Sequence, residues 1–143
     1  MTAIQPTPEQ AQAFLSRDQD QPIVMVNLLK FKEKATYAPD RPEAAENLSG
    51  AEAYQRYGIA VQKILADIGA RPLFAGTAPH YMIGGGHDWD MVALVRYPSR
   101  ATMMAMGTSD AYQAIHYHRE AGLAFQDLIE VTAVPGPADA AET

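Results

Sequence analysis

The segment IVMVNLLKF at residues 23–31 constrains the fold more than any other part of the sequence, because both of its alternating faces are apolar apart from Asn27. A β-strand with this pattern is covered by protein on both sides of its sheet. The segment is too short to cross a bilayer. We therefore predict a core strand in a sheet that is buried on both faces.

The rest of the chain alternates helical and strand-like segments. A capping box at residues 49–52 begins one helix, and Gly84-Gly85-Gly86 has the composition of a hairpin turn. The predicted elements in chain order are the strand at 23–31, a helix at 50–68, strands at 72–83 and 91–97, a helix from 99 broken at Gly107, and a strand at 128–134. This order predicts an α+β, ferredoxin-like β-α-β-β-α-β fold, with both helices on one face of a four-stranded antiparallel sheet.

The second face of that sheet has no helix to cover it. Because the strands are apolar on both faces, the simplest cover is the same face of another copy of the chain. The sequence therefore predicts a homodimer in which two sheets close into a dimeric α+β barrel.

The length of 143 residues fits one domain, which we place at residues 1–134. Thr7 can cap a short helix in an N-terminal extension at 1–21, and a long loop is predicted at 32–49. Residues 135–143 are expected to form a flexible tail.

The charge and cysteine content exclude several classes of function. The chain has 17 acidic and 11 basic residues, a net charge of −6 and no cysteine. Nucleic acid is thus an unfavourable partner, and disulfides and thiolate chemistry are excluded. Neither a signal peptide nor a membrane span is predicted, so we expect a soluble, cytoplasmic protein. No cofactor is predicted, nor a metal site, because His116 and Glu120 lack further ligands at suitable spacing.

Five polar or aromatic side chains are candidates for a site. Asn27 interrupts an apolar strand and needs a hydrogen-bonding partner there, which a ligand or a neighbouring group could supply. His116 shares a helical stripe with Tyr112 and Arg119, and a histidine can exchange a proton near neutral pH. We predict catalytic roles for Asn27 and His116, and ligand-binding roles for Tyr112, Arg119 and Trp89. The alternative is structural: a histidine hydrogen-bonded at the dimer interface, and a tryptophan that covers a core edge.

Several ordered segments between Ser49 and Val134 are similar to those of one family. The sequences SGAEAYQRYG, IGARPLFAG, VRYPSRATM and SDAYQAIHYHRE resemble domain-of-unknown-function family 1330, a branch of the dimeric α+β barrel superfamily. The resemblance implies a dimeric barrel and no established activity. The N-terminal helix and the loop at 32–49 are additions to the short members of that family.

The wider superfamily implies three alternatives for function. The first is a protein that binds or transforms a small molecule, suited by Trp89 to an aromatic one, in a pocket between sheet and helices; as an enzyme it would resemble a cofactor-independent monooxygenase or an isomerase. The second is a non-catalytic structural or ligand-sensing dimer. The third is a haem-binding or haem-degrading protein, because such members carry an asparagine and a His-x-His pair where Asn27 and His116-Tyr117-His118 occur; their tryptophan is replaced by Met106.

Overall fold

A computed structural model describes residues 3–134 of the chain. Its four α-helices and four strands follow the predicted order, beginning with the N-terminal helix. In chain order they are α1 (Pro8–Leu15), β1 (Ile23–Phe31), α2 (Gly50–Asp67), β2 (Arg71–Thr77), β3 (Met91–Tyr97), α3 (Arg100–Thr108), α4 (Asp110–Gly122) and β4 (Leu123–Val131). The predicted tail at 135–143 lies outside the described residues.

The four strands form one antiparallel sheet in the order β2-β3-β1-β4. This is the strand order of the ferredoxin-like motif, with β1 and β3 at the centre. The predicted α+β class, the antiparallel sheet and the N-terminal helix are confirmed.

The two outer strands differ from their predicted limits. β2 ends at Thr77 rather than at residue 83, because Pro79 has no N–H to donate to a ladder and the chain leaves the sheet as a loop at 78–90. β4 begins at Leu123 rather than at residue 128, directly after α4. The apolar Leu123 continued a helical stripe in the sequence, and this hid the end of the helix. The long loop at 32–49 contains a short 3₁₀ turn, Pro42–Ala45.

One face of the sheet, the helix face, carries the core. Ile23, Met25 and Leu29 of β1 are buried there, and they alternate with Val24, Val26 and Leu28 on the opposite face. The core residues packed together on the helix face are Ile23, Met25, Val61, Leu65, Ala70, Tyr97, Met106 and Tyr112.

The opposite, open face has no helix on it. Its central row follows from the strand register, in which Val26 lies opposite both Leu94 and Ile129, and Leu94 lies opposite Phe74. Phe74 is 61% exposed and Ile129 is 44% exposed. The open face is therefore an apolar surface in the single chain.

A close contact between two glycines fixes the helices on the sheet. The backbone N–H of Gly50 donates to the carbonyl of Lys32 (3.1 Å), and the N–H of Lys32 donates to the carbonyl of Gly122 (2.8 Å). A Cβ atom on Gly50 would lie 2.1 Å from the Lys32 oxygen, and one on Gly122 would lie 2.5 Å from the Gly50 oxygen. The end of β1, the start of α2 and the end of α4 can meet here only without side chains.

We expect Gly50→Ala and Gly122→Ala each to lower the free energy of unfolding by about 3 kcal/mol, because the obstructing atoms are backbone and cannot rotate away. Gly58→Ala, in the same helix as Gly50, is the matched control. A Cβ there meets nothing within 4 Å, so this change should be neutral or stabilise by about 0.5–1 kcal/mol. Urea unfolding at one fixed protein concentration measures all three variants. Equal effects at Gly50 and Gly58 would contradict the steric account.

Candidate functional site

Polar side chains from β1, β4 and α4 meet on the helix face, at the edge of the layer between sheet and helices. Asn27 donates from Nδ2 to the backbone carbonyl of Ala93 (3.2 Å) and accepts at Oδ1 from Gln126 Nε2 (3.4 Å). The side-chain oxygen of Gln126 in turn accepts from Nη2 of Arg119. We call Asn27, Gln126, Arg119, His116 and Glu120 the Arg119 cluster.

Strand alternation explains why Asn27 and Gln126 face the helices. Both side chains point the same way as the buried Leu29, which lies opposite Gln126 in the β1–β4 register. The amide that interrupts the apolar pattern of β1 is thus satisfied within the chain, and Gln126 is its main side-chain partner.

His116 has a partner at each ring nitrogen. Nδ1 lies 3.2 Å from Glu120 Oε1, one helical turn further along α4, and Nε2 lies 3.5 Å from Arg119 Nη1. A guanidinium can only donate, so Nε2 accepts and the proton of a neutral ring lies on Nδ1, directed at the carboxylate. The Nε2 lone pair is engaged only by this long contact with Arg119, and a carboxylate lies at Nδ1, so a ligand that displaces the contact could donate a proton to Nε2.

Arg119 is partly buried, and its hydrogen bonds go to neutral acceptors. Besides Gln126 and His116, Nη2 donates to the backbone carbonyl of Ile4 (2.5 Å). Within residues 3–134, no carboxylate lies within 4 Å of this guanidinium. The positive charge of Arg119 is therefore not neutralised by a direct partner in the described part of the chain.

The N-terminal extension covers this cluster. The carbonyl of Ala3 accepts from the backbone N–H of Gln126 (2.8 Å), on the outer edge of β4, and the carbonyl of Ile4 accepts from Arg119. Thr7 then caps α1 through a reciprocal capping box with Gln10. The segment at residues 3–6 thus lies between solvent and the polar side chains.

Tyr112 lies deeper in the protein than the Arg119 cluster. Its hydroxyl is 2.9 Å from the hydroxyl of Tyr57, and its ring centroid is 5.3 Å from that of His116. Burial raises the pKa of the Tyr57 hydroxyl well above its usual value and that of the Tyr54 hydroxyl to about 12. Tyr54 and Tyr57 therefore stay protonated at neutral pH, and Tyr112 connects His116 to the core.

Trp89 lies apart from the other predicted site residues. Its ring contacts those of His87 (5.2 Å) and Phe125 (5.4 Å). Phe125 lies opposite Lys30 in the register, on the open face, whereas Gln126 beside it points to the helices. The structure brings together Asn27, His116, Tyr112 and Arg119, and it places Trp89 on the other side of the sheet.

A second group of polar side chains joins the loop at 32–49 to α4. The hydroxyl of Tyr37 lies 2.7 Å from His118 Nδ1, and the hydroxyl of Tyr117 donates to Glu43 Oε2 (2.8 Å). The guanidinium of Arg41 stacks 3.8 Å above the ring of Tyr117. Burial lowers the pKa of His118, and Arg56 and Arg41 add to this, while Glu43 opposes it.

Neither of two surface clefts includes the Arg119 cluster. One of about 380 Å³ lies beside Arg17 and Arg100, and one of about 360 Å³ lies beside Tyr37 and Glu43. Among residues 3–134 no three histidine, aspartate or glutamate side chains converge as metal ligands. No helix in this described range combines the length and apolar character needed to span a bilayer.

Sequence reasoning missed Gln126, Tyr57 and the backbone of Ile4. A glutamine in a late strand carried no signal, because that strand was predicted to begin only at residue 128. Assigning the end of α4 to Gly122 would not by itself have placed Gln126 beside Asn27, because the register shift opposite Lys30 and Phe31 interrupts the alternation between Leu123 and Gln126.

We expect the free energy of unfolding to fall as pH is lowered through the region between the usual histidine pKa of about 6.5 and the lowered pKa of His118. In that window the unfolded chain binds a proton that the folded chain does not, so acid favours unfolding. The free energy of unfolding of His118→Asn should decline less steeply than that of the native chain between about pH 7 and pH 5, a range above that in which ordinary carboxylates titrate. The control is His80→Asn, at an exposed histidine. Denaturant unfolding at each pH measures the slopes; identical slopes for His118→Asn and the native chain would refute this assignment.

Comparison with known proteins supports the fold and gives a family. A crystal structure of a protein of unknown function from Rhodopseudomonas palustris is 28% identical, with a TM-score of 0.83 over 95% of this chain and 100% of that one. Its methylated form is 30% identical over 94% of this chain and 98% of that one, also with a TM-score of 0.83. No curated protein matches the sequence.

A dimeric protein of unknown function from Bacteroides fragilis, described as ferredoxin-like, is 11% identical with a TM-score of 0.50, over 81% of this chain and 100% of that one. That likeness supports the fold alone. The family named domain of unknown function 1330 (DUF1330) matches residues 44–134, which include α2, α4 and three of the four strands. On this match the chain belongs to the DUF1330 family.

Proposed function

We propose that the protein is a homodimer that binds a small organic molecule at the Arg119 cluster, where His116 is placed to accept a proton. The observation that supports the site is the convergence of Asn27, Gln126 and Arg119 from three elements, in a layer that is otherwise apolar. Small-molecule sites combine apolar walls with a few convergent polar groups that orient the ligand.

The proposed chemistry follows from the orientation of His116. Its Nε2 lone pair faces the cluster at 3.5 Å from Arg119, a long contact that leaves the nitrogen available to a ligand proton. Glu120 at Nδ1 would stabilise the imidazolium that forms. Asn27 and Gln126 present amides that can orient a carbonyl or hydroxyl group.

A non-catalytic structural or ligand-sensing dimer is the second candidate. It is favoured by two observations: Asn27, Gln126 and Arg119 already form hydrogen bonds within the chain, and neither of the two described clefts includes them. The haem-binding alternative lacks comparable support, because neither of the two described clefts includes His116, the residue that would ligate the iron.

The homodimer is supported by the open face. Its row of Val26, Leu94, Ile129 and Phe74 is a continuous apolar stripe across all four strands. Monomers rarely leave such a stripe in water, and twofold symmetry buries it against itself. The Bacteroides fragilis protein of the same fold is described as dimeric.

We expect the native chain to have about twice its monomer mass of 15.6 kDa in solution, and Phe74→Lys to shift the mass toward the monomer, since it puts a charge in the buried stripe. Ile59→Lys is the matched control: Ile59 is 64% exposed and Phe74 61% exposed, but Ile59 lies on α2. Light scattering at several concentrations measures the mass. A native mass near 15.6 kDa would contradict the dimer.

We expect at least one of phenol, benzamide and benzoate to shift the side-chain amide NMR signals of Asn27 and Gln126. Asn27→Leu should weaken that binding about tenfold, because it removes the amide and keeps the volume. The side-chain amide signals of Asn47, which lines the cleft beside Tyr37 and Glu43, are the internal control and should not move. If no probe moves the signals of Asn27 or Gln126, the cluster is structural and the proposed site is wrong.

A further inference from the structure

Arg100 is buried and Arg119 is partly buried, and the two guanidinium groups have different kinds of hydrogen-bond acceptor. Arg100 is 4% exposed, and Nε and Nη2 donate to both oxygens of Glu130 (2.7 and 2.5 Å). This bidentate hydrogen bonding lowers the pKa of the Glu130 carboxyl. Arg119 has no such carboxylate among residues 3–134, and its partners are an amide oxygen, an imidazole nitrogen and a peptide carbonyl.

The peptide carbonyl that accepts from Arg119 belongs to the N-terminal segment at residues 3–6 that covers the cluster. Ile4 is held to Arg119 through its backbone oxygen, and Ala3 is held to the backbone N–H of Gln126. Both donors are thus met by carbonyl oxygens of two consecutive residues in a segment that belongs to no helix or strand. An ionised oxygen is a stronger acceptor for a guanidinium than a peptide carbonyl is, so an anion that reached Arg119 would have the advantage over Ile4.

We propose that Arg119 recognises a monocarboxylate, which binds by displacing the carbonyl of Ile4, so that residues 3–6 are a displaceable cover. This inference rests on the proposed function, because it gives the chemical class of the ligand for that same site. The carboxylate would take the position of the Ile4 oxygen on Nη2, and the Gln126 backbone N–H would lose Ala3 as its acceptor.

The charge of the site favours a single negative charge. Arg119 contributes one positive charge, and Glu120, bonded to the neighbouring His116, contributes a negative one. A phosphate dianion would add two negative charges beside that carboxylate, whereas a carboxylate adds one and fits the planar fork of a guanidinium.

The surroundings of the cluster also suit an apolar body on the ligand. Leu128 lies opposite Asn27 in the register, on the same face of β4 as Gln126, and is 44% exposed. It is the side chain next to the amides on an edge strand, where a ring or alkyl group attached to the carboxylate can cover it.

The test compares benzoate with benzamide, which has the same shape and no charge, by NMR titration of the full chain. We expect benzoate to bind about tenfold more tightly, the advantage of a charge-assisted hydrogen bond. Saturating benzoate should speed hydrogen exchange at the Gln126 backbone N–H, which loses Ala3, and benzamide should leave that rate unchanged.

Two variants extend the test. Arg119→Gln should reduce the ratio of the Kd for benzamide to the Kd for benzoate to near one. Arg56→Gln, at a partly exposed arginine paired with Glu46, should leave that ratio unchanged. Ile4→Gly should tighten benzoate binding, since Ile4 is partly buried and its packing holds the cover in place.

The outcomes separate the two proposals. If benzamide binds at Asn27 and Gln126 as tightly as benzoate, the carboxylate inference is overturned and the small-molecule site stands. If benzoate binds tightly but exchange at Gln126 is unchanged, the cover is not displaced and the inference is likewise overturned. If neither probe nor phenol binds, the proposed site fails first, and the inference fails with it.

Discussion

The contact between Gly50, Gly122 and the backbone of Lys32 is the constraint on which the other elements depend. Three elements meet there with backbone hydrogen bonds and no room for a Cβ atom. The contact fixes where β1 ends, where α2 begins and where α4 becomes β4. Since Arg119 lies three residues before Gly122 and Gln126 lies four after it, the same contact sets the distance between the guanidinium and the amide that it bonds.

The sheet divides the chemistry of the protein between its two faces. Alternation puts Asn27 and Gln126 among the helices and puts Val26, Ile129 and Phe125 on the open side. The first face holds polar groups that are partly buried, and the second holds apolar groups that are partly exposed. Each face thus departs from what a simple monomer needs, and the proposed ligand at the first and the proposed second copy at the second would account for both departures.

The fold could be predicted from the sequence because its signals are local. The capping boxes at Thr7 and Ser49, the apolar pattern of β1 and the order of elements each act within a few residues. The composition of the site could be predicted only in part. Asn27 stood out as a polar residue in an apolar strand, and His116 and Arg119 shared a helical stripe. The link between them, Gln126, depended on the register of β4, and that register is set by the distant contact at Lys32 rather than by nearby residues.

The separation of Trp89 from Asn27 also depends on contacts between residues that are distant in the sequence. Trp89 follows a loop that leaves the sheet at Pro79 and returns where Asp90 Oδ2 accepts from the backbone N–H of Phe31 (2.8 Å). Lys30, on the open face, holds Asp90 from the other side (3.3 Å). These bonds bring the loop to the end of the open face, so His87, Trp89 and Phe125 form an aromatic edge to the surface that we propose as the dimer interface. Because the helix-face cluster and this aromatic edge are on opposite sides of one sheet, a ligand at Arg119 and a partner at the open face can be bound together without competing for the same side chains.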